Sequence, residues 1–149
     1  MNLSPNFTLE EMVRSQTALR IGITNTPNDA QVQNLIRLSL TVLEPSRALF
    51  PGCFFHTDSG FRCSRLNALV GGAGNSAHLD GRAADEIPQG VSLQDAFNKI
   101  RASNIPFDQL IIECDEWLHF SVPILGVAPR RECLIATGTP GKWKYEVAP

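Results

Sequence analysis

Three ionisable side chains in two separate segments have the types and spacing of a metal site. His78 and Asp85 lie in the glycine-rich stretch SAHLDGRAADE, residues 76–86, and His119 lies in EWLHFS, residues 116–121. Two imidazoles and a carboxylate form a suitable ligand set for a catalytic zinc ion, with a fourth position left for water. Zinc lowers the pKa of that water and polarises a carbonyl group. A loop histidine beside an aspartate is also common as a surface hydrogen bond, so spacing alone leaves both interpretations open.

Three carboxylates precede His119 and could act as a general base: Glu113, Asp115 and Glu116. Such a base must reach the water that it deprotonates. Glu113 is an even number of residues from His119, which on an unbroken strand would place both side chains on one face. A turn is expected between the two residues, and it breaks that count. The sequence pattern therefore does not choose among the three carboxylates.

The composition is that of one globular domain. The chain has 149 residues, of which 43% are hydrophobic and 19% charged, and its formal net charge of −2 gives no indication of nucleic-acid binding. No apolar stretch is long enough to span a membrane. The N-terminal segment MNLSPNFTLEEMVRSQ lacks a basic start followed by an apolar run, so we expect synthesis in the cytoplasm without a signal peptide. The four cysteines form no CxxC pair and are interpreted as small buried hydrophobic residues.

Capping signals and hydrophobic periodicity predict helices first and strands later. A capping box at Thr8 predicts a short helix to about Ser15. A second helix is predicted from Thr26-Pro27, with Pro45 expected to kink or end it. Further helices are predicted over 65–70 and 92–102, and strands over 53–57, 82–87, 109–113, 117–122, 133–137 and 143–147. This order predicts an α+β fold, a small and mostly antiparallel sheet flanked by helices.

Several segments around the candidate ligands match the motifs of one enzyme family. Residues 76–85 fit S-x-H-x-x-G-x-A-x-D at each fixed position, a tryptophan precedes the last histidine by two residues, and SGFR stands at 59–62. The chain resembles the M15 family of zinc peptidases over about residues 6–122. FTLEEM at 7–12, RIGI at 20–23 and FDQLI at 107–111 are similar to its small phage and prophage branch. The resemblance implies one domain over 1–149 with a hedgehog- or DD-peptidase-like fold.

The resemblance assigns roles to the residues of the metal motifs. It implies that His78, Asp85 and His119 bind Zn²⁺. Family members with well-defined sites carry the base three residues before the last histidine, where Glu116 stands. The phage branch often has a glutamate six residues before it, where Glu113 stands. Glu116 is our predicted catalytic base, and Glu113 is kept as the alternative.

Other matched residues are assigned to the substrate or to the loop. Arg62 is expected to face a substrate carbonyl or carboxylate and to stabilise the developing oxyanion. Ser76 is expected to hold the loop or a substrate group by a hydrogen bond, and Gly81 to permit the turn between the ligands. Trp117 could wall the cleft or belong to the core, and His56 is interpreted as a surface or half-buried imidazole. The remaining charged residues of the first motif are expected to face solvent: Asp80, Arg82 and Glu86.

The resemblance also implies a function. We expect a zinc-dependent peptidoglycan peptidase that cuts a stem-peptide bond as a phage or prophage endolysin, reaching the wall after holin-type release. The alternatives are a D-Ala-D-Ala carboxypeptidase of the same family and a non-catalytic zinc-containing binding module. The expected partner is the stem peptide, without nucleic acid or membrane insertion, and the chain is expected to be a monomer. Residues 123–149 match the family poorly, so their strands are predicted from pattern alone.

Overall fold

A six-stranded sheet forms the centre of the fold, and most of the helices precede it in the chain. The computed structural model describes residues 1–149. The helices are α1 (Leu9–Val13), α2 (Gln16–Ile21), α3 (Asp29–Leu38), α4 (Glu44–Ala48), α5 (Ser64–Leu69) and α6 (Leu93–Arg101), with a π-helical turn at Ser39–Leu43 and a 3₁₀ turn at Ala77–Asp80. The strands are β1 (Phe54–Ser59), β2 (Ala83–Gln89), β3 (Gln109–Glu113), β4 (Trp117–Ser121), β5 (Glu132–Thr139) and β6 (Lys142–Val147).

The strands are arranged in the order β1-β2-β4-β3-β5-β6. Four neighbouring pairs are antiparallel, and only β3 and β5 run parallel. The predicted α+β class with a mostly antiparallel sheet is therefore confirmed. The two strands predicted in the tail form an antiparallel hairpin that extends the sheet beyond β3.

The two faces of the sheet have different environments, and successive strand residues point to opposite faces. One face packs against α6 and the helices that precede β1. The other face carries Asp85, His119 and Glu113 and is partly covered by α5 and the loop that follows it. Core side chains from the sheet and from α6 include Ala84, Leu110, Ile112, Leu118, Phe120, Phe97 and Ile100.

Glu86 lies on the core face, because it is the immediate neighbour of Asp85 on β2. It is 0% exposed, and the hydroxyl oxygen of Thr57 lies 2.9 and 3.2 Å from its two carboxylate oxygens, to which the single hydroxyl proton donates a shared hydrogen bond. Burial raises the pKa of Glu86 well above its ordinary value. The prediction that Glu86 faces solvent was wrong, since strand alternation turns it inward. Arg82 is also mostly buried, with a side chain that is 14% exposed and paired with exposed Asp80.

Two helix predictions needed correction. The first helix ends at Val13, and a separate α2 begins after Ser15, whose side chain accepts a hydrogen bond from the amide of Ala18. Of the two effects expected of Pro45, a kink or an end, the end does not occur. The π-helical turn immediately before it shifts the backbone hydrogen bonds, so the chain continues as α4 to Ala48.

The cysteines are all free and half-buried. Three of them, Cys53, Cys63 and Cys133, pack against the hydrophobic core, in agreement with the prediction. Cys114 instead lies in the turn between β3 and β4. No helix of the structure has the length and apolarity needed to cross a lipid bilayer.

Gly81→Ala is expected to destabilise the fold. Gly81 has a φ of +70°, and a Cβ there would lie 2.5 Å from the carbonyl oxygen of Gln31. The left-handed conformation alone should cost about 1–2 kcal/mol of unfolding free energy, and the clash adds to that cost. Chemical denaturation of both proteins measures the loss.

Gly74→Ala provides the matched control in the same glycine-rich segment. Gly74 has no left-handed φ and no atom within 4 Å of the added Cβ, so its substitution should leave stability almost unchanged. Equal unfolding free energies for the Gly81→Ala and Gly74→Ala variants would contradict the steric argument.

Candidate metal centre

Three buried side chains from three structural elements converge on the open face of the sheet. His78 comes from the 3₁₀ turn, Asp85 from β2 and His119 from β4. Each offers one ligand atom, and these atoms lie within 4.8 Å of one another. The structure thus brings together the three residues that the sequence predicted as ligands. Their role in binding a metal stays a prediction.

The register of the sheet places two of the three residues side by side. Asp85 is directly opposite His119 in the antiparallel β2–β4 ladder. Facing residues in such a ladder have side chains on the same face, with Cβ atoms about 4.5–5.5 Å apart. The pair is therefore determined by strand pairing alone, without any loop.

The distances among the ligand atoms fit a tetrahedral zinc site. His78 Nε2 lies 3.3 Å from both Asp85 Oδ1 and His119 Nδ1, and His119 Nδ1 lies 2.9 Å from Asp85 Oδ1. With metal–nitrogen bonds of about 2.0–2.1 Å, ligand atoms in a tetrahedron lie about 3.3 Å apart. Two nitrogens and one carboxylate oxygen are also donors that zinc accepts. The donor set and its spacing fit the ion.

His78 is held in place by backbone groups around its loop. Its Nδ1 donates a hydrogen bond to the carbonyl oxygen of Gly60 at 2.6 Å, which leaves Nε2 as the free lone pair that points to the other two ligands. The hydroxyl oxygen of Ser76 accepts a hydrogen bond from the amide of His78 at 3.3 Å. Ser76 thus caps the 3₁₀ turn, in agreement with the first of its two predicted roles.

Gly60 can approach His78 because its backbone is packed tightly against α1. A Cβ on Gly60 would lie 2.5 Å from the carbonyl oxygen of Met12, and the neighbouring amide of Phe61 donates to that same oxygen at 2.7 Å. On the other side of the turn, side-chain amides of α3 donate to its carbonyl oxygens. The loop that carries His78 is therefore fixed by two helices.

The charges of the three side chains depend on one another. Burial alone would raise the pKa of Asp85, but the positive charge on His78 and the hydrogen bond from His119 outweigh it and hold the pKa well below the ordinary value. Burial lowers the pKa of His78. For His119, burial acts in the same direction, but the hydrogen bond and charge of Asp85 raise its pKa overall. The ionised carboxylate of Asp85 and the neutral imidazole of His78 are the forms that bind a metal, whereas the proton that Asp85 favours on His119 would be displaced on metal binding.

Of the three candidate carboxylates, only Glu113 has its side chain in the site, since Asp115 and Glu116 are exposed in the turn and do not line the cleft. One carboxylate oxygen lies 4.0 Å from His119 Nδ1, and the other accepts a hydrogen bond from the indole Nε1 of Trp117 at 2.8 Å. Burial raises the pKa of Glu113, with partial compensation by the charge of His119. Glu116 is exposed in the β3–β4 turn and does not line the cleft. The geometry favours Glu113, the alternative, over Glu116, the first choice from the sequence.

The shape of the turn explains why Glu113 faces the site. Cys114 and Asp115 have φ values of 51° and 55°, and the amide of Glu116 donates to the carbonyl oxygen of Glu113 at 3.0 Å. These are features of a type I′ turn. The strand pairing resumes with Glu113 opposite Trp117, so Glu113 keeps the same face as His119. Glu113 therefore lies on the same face as an unbroken strand would give it, a result that the sequence could not predict across the turn.

Arg62 lines the cleft beside the triad without a carboxylate partner. Its backbone amide donates to the carbonyl oxygen of His78 at 3.1 Å, which ties the SGFR segment to the ligand loop. Its buried Nε has no hydrogen-bond acceptor, and no acidic side chain lies within ion-pair distance. A buried donor without an acceptor is costly, so the guanidinium is available to an anionic or carbonyl oxygen of a ligand.

The triad opens into a cleft of about 820 Å³. Trp117 lines it, as do Ser76 and Asp58. Burial and the charge of Asp85 raise the pKa of Asp58. His56 is exposed on β1 and lies outside this cleft, which agrees with its interpretation as a surface imidazole.

Two aromatic residues of the cleft were missed by the sequence analysis. Trp143 and Tyr145 lie on β6 and line the cleft from the end of the sheet. The sequence predicted their strand, but no local signal revealed that β5 pairs with β3 and turns the hairpin toward the site. Burial and the negative charges of Glu113 and Asp85 raise the pKa of Tyr145, so its phenol stays neutral.

One family model matches most of the chain. The family model described as Peptidase M15 matches residues 5–121, a range that contains the triad, Arg62 and both candidate bases. Residues 122–149, which form β5 and β6, lie outside the matched range. No curated protein matches the chain.

Zinc is expected to stabilise the wild-type protein and not the His78→Ala or Asp85→Asn variant. A ligand that binds only the folded chain adds RT ln(1 + [L]/Kd), about 2.7 kcal/mol at a hundredfold excess over Kd. Thermal unfolding with and without added zinc measures the effect, and elemental analysis after dialysis measures the bound metal. His56→Ala is the control, since this exposed imidazole lies outside the cleft and should keep the full shift. Stoichiometric zinc in His78→Ala would contradict the ligand assignment.

Proposed function

The chain belongs to the M15 peptidase family, and on that premise we propose that it is a zinc-dependent peptidase that hydrolyses a bond in the stem peptide of peptidoglycan. The observation that carries the proposal is the buried triad, whose two imidazole nitrogens and one carboxylate oxygen lie at tetrahedral spacing. A carboxylate and an unpaired guanidinium line the same cleft. A ligand triad, a base and an anion-binding group are the parts that hydrolysis of a peptide bond requires.

His78, Asp85 and His119 would hold the zinc ion. When bound there, zinc supplies a Lewis acid that polarises a carbonyl group and makes water more acidic. Arg62 orients the substrate, because its unpaired guanidinium can donate to the scissile carbonyl oxygen or to a nearby carboxylate. The same hydrogen bonds strengthen as negative charge develops on that oxygen in the transition state.

Glu113 is our choice for the proton-transfer residue. Its carboxylate lies 4.0 Å from His119 Nδ1 and faces the cleft, so it can accept a proton from the attacking water and pass it to the leaving amine. The indole of Trp117 holds one carboxylate oxygen and leaves the other free for the reaction. The exposed turn position of Glu116 favours a solvated side chain.

The finer biological role is part of the same proposal. The segments that resemble the small phage branch support an endolysin, for which the resemblance implies cleavage of the L-alanyl-D-glutamate bond of the wall. In this proposal the protein is made in the host cytoplasm and acts on the wall after release through a holin. The alternative within the family is a carboxypeptidase that removes a terminal D-alanine, and the reaction products distinguish it from the endopeptidase.

Zinc-loaded protein is expected to hydrolyse peptide bonds in purified peptidoglycan, and each cleavage generates one new free amino group. Chelation should abolish the hydrolysis, because it removes the Lewis acid, and added zinc should restore it. Mass spectrometry of the products identifies the bond: cleavage between L-alanine and D-glutamate leaves L-alanine on the glycan, whereas carboxypeptidase action releases free D-alanine. If fully loaded protein releases neither product, the proposed activity is wrong.

Glu113→Gln is expected to keep bound zinc and to lose turnover by about 10²–10⁴-fold, the usual contribution of a general base. Glu116→Gln is the matched control, because it makes the same change of charge a few residues away at an exposed position. Initial rates and bound zinc are measured for both variants. Normal turnover in Glu113→Gln, with loss in Glu116→Gln, would return the assignment to Glu116.

A further inference from the structure

The β5–β6 hairpin forms one end of the catalytic cleft with two aromatic side chains. Trp143 and Tyr145 lie two residues apart on β6 and therefore face the same side of the sheet. Both line the cleft, although Tyr145 remains 51% exposed. On β5, Gly138 lies opposite Trp143 and Ala136 lies opposite Tyr145. Neither residue has a large side chain, so both rings remain accessible above the sheet.

The hairpin is fixed in position at two places. Its turn packs against the loop that leads to His78: a Cβ on Gly71 would lie 2.7 Å from both the amide nitrogen of Gly141 and the Cβ of Pro140. At the other side, the amide of Cys114 donates to the carbonyl oxygen of Ala136 at 2.9 Å. The aromatic rings are therefore held on a preformed wall, which reduces the entropy that a ligand loses on binding.

Charge is distributed unevenly along the cleft. At the end near the start of β3, Arg130 is paired with Asp108 at 2.7 Å and with Glu132 at 3.4 Å. The cleft-facing side chains of β6 carry no charge. A ligand group that packs against these side chains of β6 therefore makes no ion pair with the hairpin itself.

We propose that Trp143 and Tyr145 form a saccharide subsite that binds the uncharged faces of the N-acetylated sugar rings to which the stem peptide is attached. Aromatic rings with an apolar face and a polar edge suit this ligand, because a pyranose ring also has apolar C–H faces and polar hydroxyl edges. The inference rests on the proposed function for the identity of the substrate.

The distance from the proposed base determines what the subsite contributes. Tyr145 lies opposite Ala136, and Ala136 lies opposite Glu113, so the backbone of Tyr145 is two strands from the proposed base, about 10 Å at about 4.8 Å per strand. An extended chain of about three residues has that length, which is close to the L-alanine and lactyl group that separate the proposed scissile bond from the sugar ring. A sugar ring on the hairpin therefore lies next to the cleaved residue, and we expect it to contribute mainly to substrate binding.

The first test measures sugar binding without catalysis. The probe is the peptide-free disaccharide of N-acetylglucosamine and N-acetylmuramic acid, titrated into zinc-loaded protein by calorimetry or NMR. Wild type should bind it, and Trp143→Ala and Tyr145→Ala should each weaken binding at least tenfold. Val147→Ala is the matched control, since this exposed residue lies on the same face of the same strand outside the cleft. Absence of binding by wild type would overturn the subsite.

The second test compares hydrolysis of two substrates, a disaccharide-linked stem peptide and the same peptide without sugar. Trp143→Ala should raise KM at least tenfold for the sugar-linked substrate alone and leave kcat unchanged. An equal rise for both substrates would show that the hairpin supports the cleft structurally, and this outcome would overturn the subsite. Wild-type protein that binds the disaccharide and hydrolyses neither substrate would contradict the proposed activity and still support the subsite.

Discussion

The register between β2 and β4 is the constraint on which the rest of the site depends. It places Asp85 opposite His119 on the open face, with the carboxylate and the imidazole 2.9 Å apart. A slip of one residue would reverse every side chain of β2, because the side-chain period of a strand is two. Glu86 would then face the cleft and Asp85 the core. The hydrophobic side chains on the core face oppose such a slip, so the packing that stabilises the fold also fixes Asp85 and His119, two residues of the candidate metal triad.

The third residue of the candidate triad comes from a loop, and its precise position depends on close backbone packing. His78 is oriented by the carbonyl oxygen of Gly60, while the turn that carries it ends at Gly81 in a left-handed conformation. A Cβ at either glycine would lie 2.5 Å from a backbone carbonyl oxygen, one in α1 and the other in α3. The glycines of the two motifs therefore serve to bring backbone close to backbone. The loop imidazole consequently has one orientation and one free nitrogen.

The cleft combines family residues with a wall that the chain adds after the matched range. Residues 5–121 match the Peptidase M15 family and contain the triad, whereas β5 and β6 follow it. Parallel pairing of β5 with β3 places the hairpin beside Glu113 and brings Trp143 into the cleft. The proposed hydrolysis and the proposed binding of the sugar rings therefore reside in different parts of the chain. The side chain of Arg62 has no hydrogen-bond partner in the protein and lines the same cleft, so it is the group available to a ligand.

The sequence by itself determined most elements of the fold, because caps, glycines and hydrophobic alternation are local signals. Its resemblance to the family motifs, rather than residue spacing alone, identified the three residues that converge as the triad. The sequence did not determine the face of Glu86, the continuation of the helix past Pro45, or which of Glu113 and Glu116 faces the cleft. The last of these depended on two left-handed residues, Cys114 and Asp115, which neither sequence propensity nor parity reveals. Only the tertiary structure decided these points and the position of the hairpin, since each follows from pairing or packing between distant segments.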